Sequence, residues 1–240
     1  VFYAGRSLEL EAELLRIRKE TNLIIVNELG DEPQTRQLNA VRVQLSDICL
    51  SPDANSSLHW RQLGSHCVWF THWADTKTFY PIADQKARKP YFVVTTMGRR
   101  KYDRILRLIL RKKYVNQRCI GLENAVFFSS GKIAFQYARW NEITRRLFES
   151  AACGCCILTN QLPEKTRVAE IFPPNFAAIY YTNLFSLLYK LIILALSPDF
   201  CKNCASNGQR IVLKSHTESA RAKQLVQLLQ LIQLNKALSL

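Results

Sequence analysis

Glycine and proline are scarce in this chain of 240 residues, eight of each. That scarcity removes collagenous, mucin-like and other low-complexity architectures, which depend on one or both. Acidic residues are also few: 19 Asp and Glu face 33 Lys and Arg, a formal charge of +14. An anionic partner follows from the imbalance, whether phosphate ester, nucleic acid or acidic lipid, and charge alone does not choose among them. No stretch reaches the roughly 18 to 20 uninterrupted apolar residues of a bilayer-spanning helix. The best candidate, 184–196, carries Lys190 and reads as a buried helix. The first residues, starting at Val1, lack the basic, apolar, small-residue order of a secretion signal. The expected location is the cytoplasm, with peripheral contact at the inner face of the membrane.

What is present is a composition able to build a core: 48% hydrophobic and 22% charged residues can offset chain entropy, so disorder is excluded. The length suits one large α/β unit or two compact lobes. Eight cysteines, at 49, 67, 119, 153, 155, 156, 201 and 204, are not spaced as a small secreted disulfide framework, so reduced thiols are expected. The cluster Cys153 to Cys156 and the pair Cys201 and Cys204 suggest zinc, because C-x-x-C lets two thiolates grip one tetrahedral ion. Cys155 and Cys156, however, open the apolar run Cys-Cys-Ile-Leu-Thr, which reads as a buried strand where cysteine acts as a small hydrophobe. The expectation is no metal.

Residues 7–20 have helical periodicity, Leu23 to Val26 is a short β-branched run, 40–50 fits helix or strand, and Cys67 to Thr71 is a compact strand. Residues 81–90, polar and bounded by prolines, read as a linker. Beyond it come a strand from Tyr91 to Thr96, a turn at Met97-Gly98 and a basic helix from Arg99 to Lys113 with Tyr102, Ile105, Leu106 and Ile109 on one side. Further βα steps follow: a strand from Ile133 to Tyr137, a helix from about Asn141 to Ala152, and strands over Cys156 to Thr159 and Ala177 to Tyr181. Ser215-His-Thr-Glu218 has the form of a capping box. The long helix after it sets Leu225, Leu228, Leu229 and Ile232 at helical spacing. Such alternation favours parallel sheets.

Chemistry concentrates in 137–160. A helix with Glu142, Arg145, Arg146 and Glu149 ends in Ala-Ala-Cys-Gly, where Gly154 turns the chain into a buried strand. A glutamate at the carboxyl edge of a parallel sheet can accept from both hydroxyls of a ribose. The plainer alternative is a solvated helix with Glu142 paired to Arg145 and Arg146.

The run Arg146-Leu-Phe-Glu149-Ser-Ala-Ala-Cys-Gly154, followed by Cys-Cys-Ile-Leu-Thr159-Asn, resembles the donor-site helix and strand of GT-B glycosyltransferases. It is most similar to the spore-maturation-like glycosyltransferase family, with its Arg-x-Phe-Glu-x-x-Ala-Cys-Gly core. Asn27-Glu-Leu-Gly-Asp-Glu-Pro-Gln-Thr35, Trp73-Ala-Asp75, Gly98-Arg-Arg100 and His216-Thr-x-x-x-Arg221-Ala agree in order. The resemblance implies an α/β protein of two Rossmann-like lobes. The first, 1–81, is on the acceptor side and N-terminally incomplete; the second, 82–240, binds the nucleotide-sugar donor. It implies transfer of a sugar from a nucleoside diphosphate to a hydroxyl of a carbohydrate, lipid or protein acceptor. Glu149 matches the family's ribose-binding glutamate. The second glutamate of many retaining relatives, eight positions earlier, is Asn141 here, and Glu142 is off by one, so that role is not carried over.

Gly98, Arg99 and Arg100 suit a diphosphate, because backbone N–H groups at a helix start and adjacent guanidinium groups bind phosphate. Cations there meet charge that grows as the glycosidic bond breaks, so no cofactor or metal is expected. Thr144 and Arg145 are donor contacts at the helix start. The later cations, Arg107 to Lys113, fit a solvated face or an anionic membrane surface. Nucleic acid ranks lower, since no zinc-finger or RRM-like signature is present. His72 and Asp75 are acceptor-side candidates for positioning or base catalysis, against the plainer role of bracing a hinge beside Trp73. Asn27, Glu28 and Asp31, at a strand end, are weighed in the same way. The rival reading of the whole chain is a non-catalytic basic protein for nucleic acid or membrane, or an inactive glycosyltransferase relative.

Overall fold

Short β-branched runs alternating with helices give two parallel sheets. The computed structural model describes residues 8–21, 23–30, 34–82, 90–96 and 101–238. These fall into two compact units: one runs to His72 and takes in 138–143 and 162–168, and the other holds the remainder. The expected linker lies largely outside the described residues.

The first unit contains α1 (Leu8–Glu20), β1 (Val26–Glu28), α2 (Arg36–Leu45), β2 (Ile48–Ser51), α3 (Ala54–Gln62) and β3 (Cys67–Trp69). Its strands are parallel in the order β1-β2-β3. The run expected as a strand over Leu23 to Val26 starts pairing only at Val26, because Ile25 is tied by its N–H to the Asp47 carboxylate at 2.8 Å. Residues 40–50 divide into helix and strand at Ser46. Asp53 caps α3, accepting from Asn55 and Ser56 N–H at 2.9 and 3.2 Å. Leu29, Cys49, Trp60 and Cys67 form the core. Asn27 donates to Ser46 Oγ at 2.6 Å, a brace between strand end and helix end.

In the second unit come β4 (Tyr91–Thr95), α4 (Asp103–Leu110) with a 3₁₀ turn at Arg111–Lys113, β5 (Tyr114–Asn116), α5 (Gly121–Ser129), β6 (Gly131–Gln136), α6 (Arg145–Ala152) and β7 (Cys156–Asn160). After β7 the chain continues through α7 (Val168–Ile171), β8 (Ala178–Tyr181), α8 (Leu184–Leu196), α9 (Pro198–Ser215) and α10 (Glu218–Leu238). All five strands are parallel, in the order β5-β4-β6-β7-β8. This is a doubly wound sheet whose direction of winding reverses between β4 and β6. Val93, Ile133, Phe135, Leu158 and Ile179 face a cluster shared by Leu106 of α4 and Leu187, Leu191 and Leu194 of α8. Cys156, Cys201 and Cys204 belong to the same buried cluster. Among the described residues no group of three or more His, Cys, Asp or Glu is arranged to hold a metal ion.

Several boundaries move. The helix expected from Asn141 begins at Arg145, because Asn141 takes a φ of 55° and Thr144 is extended. Glu142 therefore lies ahead of the helix and does not share its face with Arg145 and Arg146 at helical spacing. The basic helix starts at Asp103, and Ile109 is exposed while Leu110 packs on the core. Ser215 ends α9 and caps nothing; Thr217 Oγ1 instead accepts from Ala220 N–H at 3.1 Å. Helix α8 buries one face only, as Phe185, Tyr189, Ile192 and Leu196 are exposed. Among the described residues no single helix is long and apolar enough to cross a membrane.

Candidate nucleotide-sugar site

In a doubly wound sheet the crevice lies outside the carboxyl ends of the strands, where the strand order reverses. Thr95 and Thr96 end β4 there, both buried, and neither hydroxyl has a partner among the described residues. Gln136 ends β6. Its carbonyl accepts from Tyr181 Oη at 2.8 Å, its Oε1 accepts from Thr144 Oγ1 at 3.0 Å, and its Nε2 donates to Ser150 Oγ at 3.4 Å. One buried side chain thus fixes both the entry and the middle of α6 against the sheet edge. Gly154, at a φ of 75°, lets the chain leave α6 and enter β7 at once.

Helix α6 presents Arg145, Arg146 and Glu149 to a cleft of about 290 Å³ whose other walls are Phe79, Cys119, Ile120, Gly121 and Asn124. All belong to the second unit. Glu149 is half-buried, and Asn124 Nδ2 donates to its Oε2 at 3.5 Å. Burial raises its pKa above the ordinary carboxylate value, with Arg145 and Arg146 pulling the other way. Desolvation wins, so the carboxylate is a strong acceptor, with the long bond from Asn124 its hydrogen bond among the described residues. Arg145 lies over the Trp73 ring at 5.1 Å, which limits the guanidinium to one edge of the cleft. Gly121 opens α5 and lines the same cleft; Ile120, just before it, is exposed.

The expected site residues separate into groups. Glu149 and Arg145 share the cleft, whereas Thr144 does not line it and its hydroxyl is committed to Gln136. Gly98, Arg99 and Arg100 lie outside the described residues. Their neighbour Lys101 is exposed at the exit of β4, with Nζ 5.1 and 5.6 Å from the Tyr102 and Tyr137 rings. Asp75 accepts from Lys77 N–H at 3.1 Å and Thr78 Oγ1 at 2.7 Å, which fixes the turn leading to Phe79. His72 is half-buried in the first unit and Asp75 belongs to the second. Cys119, Gly121, Asn124 and Phe79 did not stand out in the sequence; the pointer to the first three was Ile-Gly-Leu-Glu-Asn at 120–124, a glycine at a helix start after a three-residue strand.

The doubly wound sheet is Rossmann-like, with a carboxylate and two arginines at its switch-point edge. Residues 79–227 match the family described as glycosyl transferase-like, and the chain belongs to that family. The fold is that of GT-B glycosyltransferases. Sucrose-phosphate synthase from Thermosynechococcus elongatus superposes with a TM-score of 0.67 at 14% identity, over 95% of this chain and 72% of that one. HepE from Anabaena, in a complex with UDP-glucose, gives 0.69 at 13% identity over 95% and 78%. A glycosyltransferase from Rickettsia africae gives 0.61 at 10% identity over 95% and 75%. No curated protein matches the chain in sequence.

Proposed function

We propose that the chain transfers a sugar from a nucleoside diphosphate to an acceptor hydroxyl, with the donor nucleotide in the Glu149 cleft. The observation that carries this reading is a half-buried carboxylate that lines an open cleft and accepts from Asn124 among the described residues, at the switch-point edge of the second sheet. Two ribose hydroxyls would add donors to the Glu149 carboxylate. The apolar walls, Phe79 and the exposed Ile120, suit the flat face of a nucleobase. Arg145 and Lys101, together with Gly98, Arg99 and Arg100 as the sequence suggests, would meet the diphosphate; their charge would stabilise the departing nucleotide more than the bound donor. In this reading the chain's own cations take the place of a metal. Support comes from the family and from HepE, whose structures hold UDP and UDP-glucose.

His72 is assigned the acceptor-side base. Asp75 enters through the turn that sets Phe79. A second reading, nucleotide binding without transfer, is favoured by Asn141, which stands eight residues before Glu149 in a positive-φ turn. The test is calorimetric titration with UDP, GDP, ADP and TDP and the matching monophosphates, on wild type and Glu149→Gln, followed by a transfer assay with the sugar nucleotide of the base that binds. Saturable binding to one base that weakens in the variant supports the donor site, and turnover separates transfer from binding alone. Equal, salt-sensitive binding of every polyanion refutes both.

A further inference from the structure

Helix α8 carries two apolar faces. Leu187, Leu191 and Leu194 are buried on the sheet, while Phe185, Tyr189, Ile192 and Leu196 form a stripe at spacings of four, three and four on the outside. Phe185 is 82% and Leu196 78% exposed. The helix holds one charge, Lys190, and no acid. Helix α4 packs on the same sheet face, since Leu106 shares the buried cluster with the three α8 leucines. Its outer surface repeats the theme: Leu108 is 77% exposed, with Ile109 beside it. Around them stand Arg104, Arg107, Arg111, Lys112 and Lys113, all exposed. The segment's one acid, Asp103, is buried and already bonded to Arg107 Nε at 3.1 Å, Tyr114 Oη at 2.8 Å and Asn116 Nδ2 at 2.6 Å. This layer therefore presents exposed apolar side chains among cations with no exposed acid on either helix.

We propose that the outer surface of α4 and α8 docks on an anionic phospholipid bilayer, the apolar side chains entering the headgroup boundary and the cations pairing with lipid phosphates. Charge complementarity selects this occupant. Apolar insertion alone binds a membrane weakly, and adjacent Lys and Arg supply the second contribution that anionic lipid provides. A second copy of the chain would bring like charges onto a shared apolar face, which is destabilising. A nucleic acid would use the cations but leave Phe185, Ile192 and Leu196 in water. The proposal stands apart from the donor-site reading, because none of these residues lines the Glu149 cleft.

The test is flotation with vesicles of phosphatidylcholine alone and with about one third phosphatidylglycerol. Two variants serve it: Phe185→Ser with Ile192→Ser, and Arg111→Gln with Lys112→Gln and Lys113→Gln. All five side chains are exposed, so melting curves should be unchanged. Wild type should float with anionic vesicles only, and added salt should release it. The charge variant should lose about five-fold in partitioning for each cation removed, and the apolar variant should bind more weakly with an unchanged salt slope. Equal partitioning into neutral vesicles, or variants that bind like wild type, would overturn the proposal. So would a duplex oligonucleotide that binds more tightly and is indifferent to Phe185→Ser, or self-association that this substitution abolishes in a protein that never floats.

Discussion

Replacing Glu149 by glutamine should do two opposite things at once. Burial raises the Glu149 pKa in the fold, against the pull of Arg145 and Arg146. An acid whose folded pKa exceeds its unfolded one favours the folded state below the unfolded pKa, and that advantage disappears as pH rises through the folded value. At neutral pH the ionised group therefore weakens the empty protein, and a neutral amide of the same shape relieves it. We expect Glu149→Gln to gain about 1 kcal/mol, the scale of one buried polar interaction, or about 2–4 °C in Tm for a chain of this size. The nucleotide should respond in the other direction. Hydrogen bonds to a charged acceptor contribute about 1.5–3 kcal/mol against about 1 for a neutral one, so two ribose hydroxyls lose about 2 kcal/mol together. That is about a thirty-fold rise in Kd. Thermal denaturation across pH without nucleotide, and calorimetry with it, read both effects. The stability gain should fade as pH is lowered toward the unfolded carboxylate value. A variant that is less stable and binds nucleotide unchanged would make Glu149 a structural residue and refute the reasoning.

Cys119 is the one cysteine that is not buried, and burial, then Glu123, raises its pKa. Alkylation of the native protein should be slow at neutral pH, faster as pH rises, confined to Cys119 by mass spectrometry, and blocked by a nucleoside diphosphate that occupies the cleft. His216 has its pKa pushed down to about 4 by burial and by Arg221. Its stabilising contribution is therefore present above the unfolded imidazole pKa and lost as pH falls through about 4. The loss should be about 3 kcal/mol, visible as an acid-side fall in Tm that His216→Asn flattens. Gly131→Ala would place a Cβ 2.4 and 2.6 Å from the two Val94 methyls. It should cost about 1–3 kcal/mol in urea denaturation, largely restored by adding Val94→Ala. Glu218→Ala, which removes the acceptor of Thr76 N–H and Thr76 Oγ1, should weaken nucleotide binding measured by calorimetry more than it lowers Tm.

The central strands were legible because Tyr91–Thr95 and Cys156–Asn160 are short runs rich in apolar and β-branched residues, as buried parallel strands require. Helix starts were less so. Asn-Glu-Ile-Thr at 141–144 fits the helical period, and nothing in that period shows that Asn141 takes a positive φ or that the Thr144 hydroxyl bonds Gln136. The segment 114–129 escaped because three residues are too few to display a strand period, and with it went half of the cleft wall. Glu149 was singled out by its sequence context and not by charge spacing, which assumed a helix running through Glu142 that begins only at Arg145. The outer face of α8 was hidden by uniformity: an all-apolar run reads as buried on every side, and composition cannot say that a sheet covers only one.

What builds the cleft is largely remote from it in sequence. The start of α10 reaches back to the segment before β4, where Ala74 N–H donates to His216 O at 3.0 Å and Glu218 N–H to Ala74 O at 3.2 Å. The Glu218 carboxylate holds both Thr76 N–H and its hydroxyl at 2.9 Å. That short segment carries Trp73, on which Arg145 rests, and through the Asp75 turn it delivers Phe79, whose N–H donates to Asp75 O at 2.7 Å. On its other side His216 contacts the Phe148 ring at 5.3 Å, next to Glu149 in the chain. His216 and Arg221 contact each other through Nδ1 and Nη2, and Arg221 is buried. Cations and imidazole are costly to bury, so their presence is better explained by position than by stability. They hold the entry to the last helix where it can set Trp73, Phe79 and the α6 face together, which is why a motif some seventy residues after Glu149 belongs to the same constellation.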